Sequence, residues 1–329
     1  MADGDVKVLF IMGWGRSGST VLDNLLGELD GFTSLGELHY LWQRGLVKDH
    51  KCGCRQLVTG CELWSQVLSA PFGDGRLGDV DPVQVVAWQQ DAVRMRDFRR
   101  LLRQNPGRSS GWDALNRYGK VLAAAYREVG RVDGSRVVVD SSKRPSDAAV
   151  LRLLSGIDPY YVHLVRDPRA VSYSWRRRKV GFDRRMQQFG PVHSTVRWVN
   201  RNLAADALRA KEGPGRSLLV RYEDFVARPP ETLRAIAELV GENPGRLPFI
   251  DARTAELGPN HTVSGNQSRF NTGTTKIRQD DEWLRSQKTS DRIVTTGIAG
   301  PWLHRYGYAL RPKPPAPAAE ETPTAARAG

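Results

Sequence analysis

Cysteine is nearly absent from this chain. Only Cys52, Cys54 and Cys61 occur among 329 residues, crowded into one short stretch. An odd number so placed excludes a disulfide framework as the source of stability. Long apolar runs are missing as well: none approaches the roughly 18 residues of a membrane-spanning helix, so an integral membrane protein is not expected. The opening residues, Met1-Ala2-Asp3-Gly4-Asp5, carry neither the basic start nor the small-residue cleavage site of a secretory signal. These shortages point to a cytoplasmic protein in a reducing compartment.

Acid is the other shortage. Asp and Glu number 36 against 49 Lys and Arg, a formal charge of +13, and such an excess favours polyanionic ligands: nucleic acid, acidic lipid headgroups or phosphorylated nucleotides. No nucleic-acid-binding module or aromatic-interleaved basic stripe accompanies the charge, so no nucleic-acid partner is expected. The bases are spread along the chain except for one cluster, Arg176, Arg177, Arg178 and Lys179, with Trp175 beside it. That cluster either steers an anion or is a solvated helix end.

What is present is an alternation of strand and helix. Strand patterns fall at 6–12, 32–35, 136–140, 160–165 and 217–222, and helical patterns at 20–29, 145–154, 168–179, 194–211 and 230–240. The alternation predicts an α/β fold with a central parallel sheet covered by helices on both faces, a P-loop-like three-layer arrangement. Between them, residues 42–131 read as loops and helices (83–103 and 112–128) that cap one end of the sheet. Residues 261–277 read as a polar loop, and 312–329, rich in Pro, Ala, Glu and Thr, as a disordered tail.

Two motifs carry chemistry. Gly13-Trp14-Gly15-Arg16-Ser17-Gly18-Ser19-Thr20 stands between the first strand and the first helix, where successive N–H groups and the positive helix end form an anion cradle. Its spacing is that of the nucleotide-binding P-loop, except that Ser19 replaces the lysine that reaches the β- and γ-phosphates. In Leu164-Val165-Arg166-Asp167-Pro168-Arg169-Ala170-Val171-Ser172-Tyr173-Ser174 an arginine ends a strand and a serine follows on a helix.

Together these motifs resemble the sulfotransferases that use 3′-phosphoadenosine-5′-phosphosulfate (PAPS), and the Arg before Ser-Gly is similar to their carbohydrate and tyrosylprotein branch. The resemblance implies that Arg16, Ser17, Gly18, Ser19 and Thr20 hold the 5′ end of the nucleotide, and that Arg166 and Ser174 hold its 3′-phosphate. It further implies a lysine near the sulfuryl group at Lys143, a cofactor-contacting Tyr222, and a loop bearing Asn266 and Arg269 that closes over the nucleotide. Glu37 stands where these enzymes place a carboxylate base, with His39 as a substitute. The resemblance covers residues 6–283 and implies a sulfotransferase domain over 1–311, PAPS as donor, no catalytic metal, and a small-molecule, glycan or lipid hydroxyl as acceptor. A P-loop kinase or NTPase is the alternative, although it would require a lysine where Ser19 stands. Cys52, Cys54 and Cys61, with His50 just upstream, could offer soft ligands to a structural zinc, but the spacing is irregular and suits a packed corner equally; no metal is assigned.

Overall fold

In the strand Val6–Gly13 (β1), five consecutive residues, Val8 to Met12, are buried, so both faces of the strand are covered. That is the signature of the middle of a parallel sheet between helical layers. The computed structural model describes residues 5–177 and 188–312. Its main sheet adds β2 (Phe32–Ser34), β3 (Val137–Lys143), β4 (Ile157–Val165) and β5 (Ser217–Arg221), in the order β2-β3-β1-β4-β5 with every pair parallel. The chain leaves β1 to build one side and returns to build the other. The carboxyl ends of β3, β1 and β4 therefore border a crevice of the kind in which open sheets bind ligands.

Alternation along β1 divides the core. Leu9 and Ile11 pack with Val137 and Val139 against α1 (Ser19–Gly27) and the helix Pro229–Leu239, through Leu22, Leu25, Leu26, Leu233 and Ile236. Val8, Phe10 and Met12 point the opposite way, to Trp42, Trp64, Tyr118 and Tyr126. These four belong to the stretch expected to cap one end of the sheet. It does more than that: its helix α2 (Asp113–Asp133) carries buried Leu115, Tyr118, Leu122, Tyr126 and Val129 at helical spacing and lies against a sheet face. α3 (Pro145–Leu151), α4 (Pro168–Arg176) and α5 (Pro191–Glu212) complete the layers.

Several elements depart from their sequence patterns. The helix expected over 83–103 is two, Pro82–Ala92 and Phe98–Arg103, with Arg94 extended between them. Val93 and Phe98 both reach the core, and five helical residues would have turned them well away from each other. Tyr222 starts the helix Tyr222–Ala227 instead of ending β5. The polar loop 261–277 contains a short strand, Gly273–Lys276, antiparallel to Thr254–Leu257. A helix with no sequence forecast, α6 (Thr289–Arg305), encloses Pro301 and buries Ala299 and Leu303 beside Trp198. Arg178, Lys179 and the tail beyond Pro312 lie outside the described residues. Among those described, no helix is long and apolar enough to cross a membrane.

One buried acid lies between α1 and the sheet. Asp23 accepts a 2.5 Å hydrogen bond from Ser34 Oγ, while its Oδ1 has no partner. Burial, with a smaller push from Asp140, raises its carboxyl from 3.8 to about 7. The fold holds this proton where the unfolded chain releases it, so stability falls as pH rises from about 4 to about 7. Asp23→Asn is expected to be more stable than the parent at pH 8, by up to about 4 kcal/mol, with the gain vanishing near pH 4. Urea denaturation at the two pH values checks this; a loss at pH 8 would mean that the carboxylate itself is needed.

Candidate functional site

The turn between β1 and α1 is held open toward the crevice by backbone geometry. Arg16 and Gly18 both adopt left-handed conformations, with φ of 72° and 86°. A side chain on Gly18 would strike the Tyr222 ring at 2.6 Å, and one on Gly13 would strike the Leu164 carbonyl oxygen at 2.4 Å. The Ser17 hydroxyl donates to the Trp14 carbonyl at 2.8 Å, closing the turn on itself. Gly18 is the N-cap of α1, and no side chain caps that end. The first N–H groups of the helix, which have no partner within it, are thus presented with the positive helix end behind them.

Arg16 joins this turn to the second motif. Its Nε donates to Ser174 Oγ at 3.0 Å, and its carbonyl accepts from Arg166 Nη1 at 3.0 Å. The strand-end arginine and the helix serine, eight positions apart, are therefore linked through Arg16 and not by direct contact. Asp167 caps α4 by accepting from the Arg169 N–H, and Arg169, fully buried, pairs with Asp167 and donates to the carbonyls of Ala309 and Leu310. The corner is thereby fixed. Arg166 lies 4.3 Å over the Tyr222 ring, and its Nη2 bonds the Asp280 carbonyl, but its buried Nε has no partner. Burial, then the positive charges of Arg177 and Arg166, push the Arg16 guanidinium below its usual range. An anion placed here would relieve that repulsion.

Glu37 and Lys143 meet at the carboxyl ends of β2 and β3, with Lys143 Nζ 2.5 Å from Glu37 Oε1. Lys143 has a left-handed φ of 68° and pairs in register with Met12, the residue before the cradle. The ammonium also donates to the Ser141 carbonyl at 3.0 Å. His39 is placed differently: its Nδ1 is 2.9 Å from Asp147 Oδ1. Burial works against ionisation of Asp147, yet the charges of His39 and Arg144 hold its carboxyl below the ordinary value.

Of the closing loop, Asn266 meets Thr20 of the cradle, and Arg269 lies behind it with its guanidinium on backbone carbonyls. The Asn266 N–H is 3.4 Å from Thr20 Oγ1. Arg269 gives both terminal nitrogens to backbone carbonyls, of Thr262 at 2.5 Å and Lys51 at 2.6 Å. A guanidinium buried that deeply satisfies its donors locally. Sequence reading also missed an aromatic wall beside the cradle: Trp14, Trp175 and Phe189, with ring centroids 4.8 to 6.3 Å apart. Arg197 and Arg201 approach Trp14 from α5. Arg201 is pushed down to about 10 by burial and by Arg144, and its Nη1 has no partner. Two arginines four apart on one helix face were the available signal.

A family model described as a sulfotransferase family matches residues 9–243. No curated protein matches the chain. Among solved structures, the sulfotransferase domain from the curacin biosynthetic pathway is 18% identical, covering 94% of this chain and 100% of its own, with a TM-score of 0.47. The sulfotransferase domain of the Synechococcus PCC 7002 olefin synthase is 21% identical over 94% of this chain and 97% of its own, TM-score 0.47. Sulfotransferase STF9 of Mycobacterium avium is 13% identical over 93% and 78%, TM-score 0.47. These likenesses accompany the family match and carry none of its weight. That match lends nothing to a kinase or NTPase. Because it takes in more than half of the chain, from the central strand through the two helices that follow β5, the protein belongs to the sulfotransferase family.

Proposed function

We propose that the protein transfers a sulfuryl group from PAPS to a hydroxyl of a carbohydrate, lipid or small natural product, with residues 1–311 as the working domain. The observation that supports this reading best is the crowding of positive charge at the head of the crevice, where Arg166 and Arg177 share Asp280. An uncapped helix end, an orphaned buried Arg166 Nε and an Arg16 crowded by other cations lie together, which suits a ligand with anionic groups at two places. The nucleotide would supply the sulfuryl group and a phosphate leaving group.

In this reading Ser17, Gly18, Ser19 and Thr20 bind the 5′ end through main-chain N–H and hydroxyl groups, and Arg166 and Ser174 take the 3′-phosphate. Tyr222, already against Gly18 and Arg166, flanks the nucleotide, and Asn266 closes from the other side. Arg16 and Lys143 stabilise the charge that gathers on the leaving phosphate as the acceptor oxygen bonds to sulfur and the S–O bond to phosphate breaks. Glu37 takes the acceptor proton. Its position beside Lys143, one strand from the cradle, supports it as base. A second reading has its own observation: His39 oriented by buried Asp147 is the arrangement of a general base held by a third group. Magnesium has no assigned part, since Arg16 and the N–H groups stand where Ser19 leaves no P-loop lysine.

Arg166→Ala and Ser174→Ala are expected to weaken adenosine 3′,5′-bisphosphate by about tenfold or more each, while changing adenosine 5′-phosphate far less; calorimetry with both ligands decides, and equal weakening would remove the 3′-phosphate assignment. Sulfuryl transfer is expected to proceed with magnesium omitted from the assay, and an absolute requirement would favour the NTPase reading. Glu37→Gln is expected to keep nucleotide affinity while lowering turnover by roughly a hundredfold to ten-thousandfold, with His39→Ala doing less. The reverse order of effects would make His39 the base.

A further inference from the structure

The cysteine stretch plays no part in the crevice, yet its side chains converge with one from a distant segment. Cys52, Cys54, Cys61 and His261 bring three sulfurs and a ring nitrogen within 4.8 Å of one another. Cys61 Sγ lies 3.1 Å and Cys52 Sγ 4.0 Å from His261 Nδ1. Ligands about 2.3 Å (sulfur) and 2.0–2.1 Å (nitrogen) from zinc stand roughly 3.5–3.8 Å apart at tetrahedral corners, and the two measured separations fall on either side of that range. The fourth donor is not His50, the sequence candidate, but a histidine 200 residues beyond Cys61.

The backbone is shaped to bring these groups together. The Arg55 N–H, at a left-handed φ of 72°, donates to the Cys52 carbonyl at 2.8 Å, and the Cys52 N–H donates to the Gln56 carbonyl at 2.7 Å, which folds the first two cysteines into one tight turn. Gly53 lets this turn touch the histidine segment: its N–H donates to the Thr262 carbonyl at 2.9 Å, and a Cβ there would meet Asn260 Oδ1 at 1.9 Å. Cys61 opens the helix Glu62–Ser69, from which Trp64 Nε1 donates to the His261 carbonyl at 3.0 Å. Arg269, bonded to the carbonyls of Lys51 and Thr262, ties the neighbours of Cys52 and His261. Cys52, Cys61 and Trp64 are wholly buried. A preformed set of three thiols and one imidazole, two of the four wholly or nearly wholly shielded from solvent, has the soft N/S character and the ligand count of a closed structural zinc site. Donors this close surround a single ion; an iron–sulfur cluster, two or more metals across, holds its thiolates further apart.

We propose that Cys52, Cys54, Cys61 and His261 bind one zinc ion, which fastens the insert to the segment that brings Asn266 to Thr20. The site stands apart from the donor and acceptor assignments and can fail without them.

The full-length chain, purified under reducing conditions from zinc-containing medium, is expected to carry about one zinc per chain by plasma mass spectrometry. Cobalt exchanged into it is expected to give the intense visible absorption and thiolate charge transfer of a tetrahedral site with three sulfur donors and one nitrogen. Cys61→Ser is expected to lower metal content about tenfold or more. His261→Cys, which keeps four donors, is expected to retain metal and move the cobalt spectrum to that of a tetrathiolate. A folded, metal-free parent whose three thiols react freely, and which takes up no cobalt, would overturn the site. So would a cobalt spectrum unchanged by His261→Cys, or a Cys52–Cys61 disulfide in the natively isolated chain.

Discussion

The turn that ends β1 has no room for a side chain at any of its three glycines. Tyr222 lies against Gly18, the Leu164 carbonyl against Gly13 and the Trp175 ring against Gly15. Three separate elements thus press on one short loop, and each brings a group the site uses or stands beside. The close approach puts main-chain N–H groups at the surface of the crevice in place of side chains, and a rigid array of donors need not reorganise as charge builds on a leaving group. Arg16 holds its place in this turn with a left-handed backbone, a conformation that is uncommon outside glycine.

Charge follows the same geometry. Of the chain's excess cations, Arg16, Arg166 and Arg177 are near enough for Arg16 to sense the other two. They are restrained by neighbours: Asp280 meets both Arg166 and Arg177, and Ser174 accepts from Arg16. Nearby, at the ends of β2 and β3, opposite charges are paired in Glu37 and Lys143. Such a layout separates a region of clustered cations from one where acid and base are paired. A net charge of +13 says nothing about that separation.

The second sheet face ties the crevice to the rest of the molecule. Helix α2 packs beneath β1 and β3, and Tyr126 donates to Asp140 at 2.6 Å. Asp140 in turn accepts from the N–H and hydroxyl of Ser142, the residue just before Lys143. The end of β3 is therefore shaped by a helix of the insert. On the other side, Asn24 of α1 donates to the Ser268 carbonyl at 3.1 Å, so the closing segment is anchored to the same helix whose N-terminus faces the crevice.

Period and composition were enough to read β1, β3, β4 and the helices between them, because buried parallel strands are continuous apolar runs and their helices repeat at 3.6 residues. The Gly-Ser turn was legible for a related reason: chain order alone places it between a strand and a helix. Arg166 and Ser174 were legible as a pair, but their link through Arg16 was not, since it depends on β4 lying beside β1. The helix Thr289–Arg305 escaped notice because Pro301 and a polar composition mask a stripe that only Trp198 and its neighbours reveal. Arg269 and His261 show the limit most plainly. Both lie in a polar stretch without period, where sequence assigns a residue to a loop but not to a partner. The sequence by itself determined that the chain makes an α/β sheet with a Gly/Ser turn between its first strand and first helix, because those features depend on near neighbours in the chain. Tertiary structure alone decided which distant side chains meet there, that Arg269 donates to the Thr262 and Lys51 carbonyls and that His261 joins the cysteines, because those contacts are set by how the elements pack.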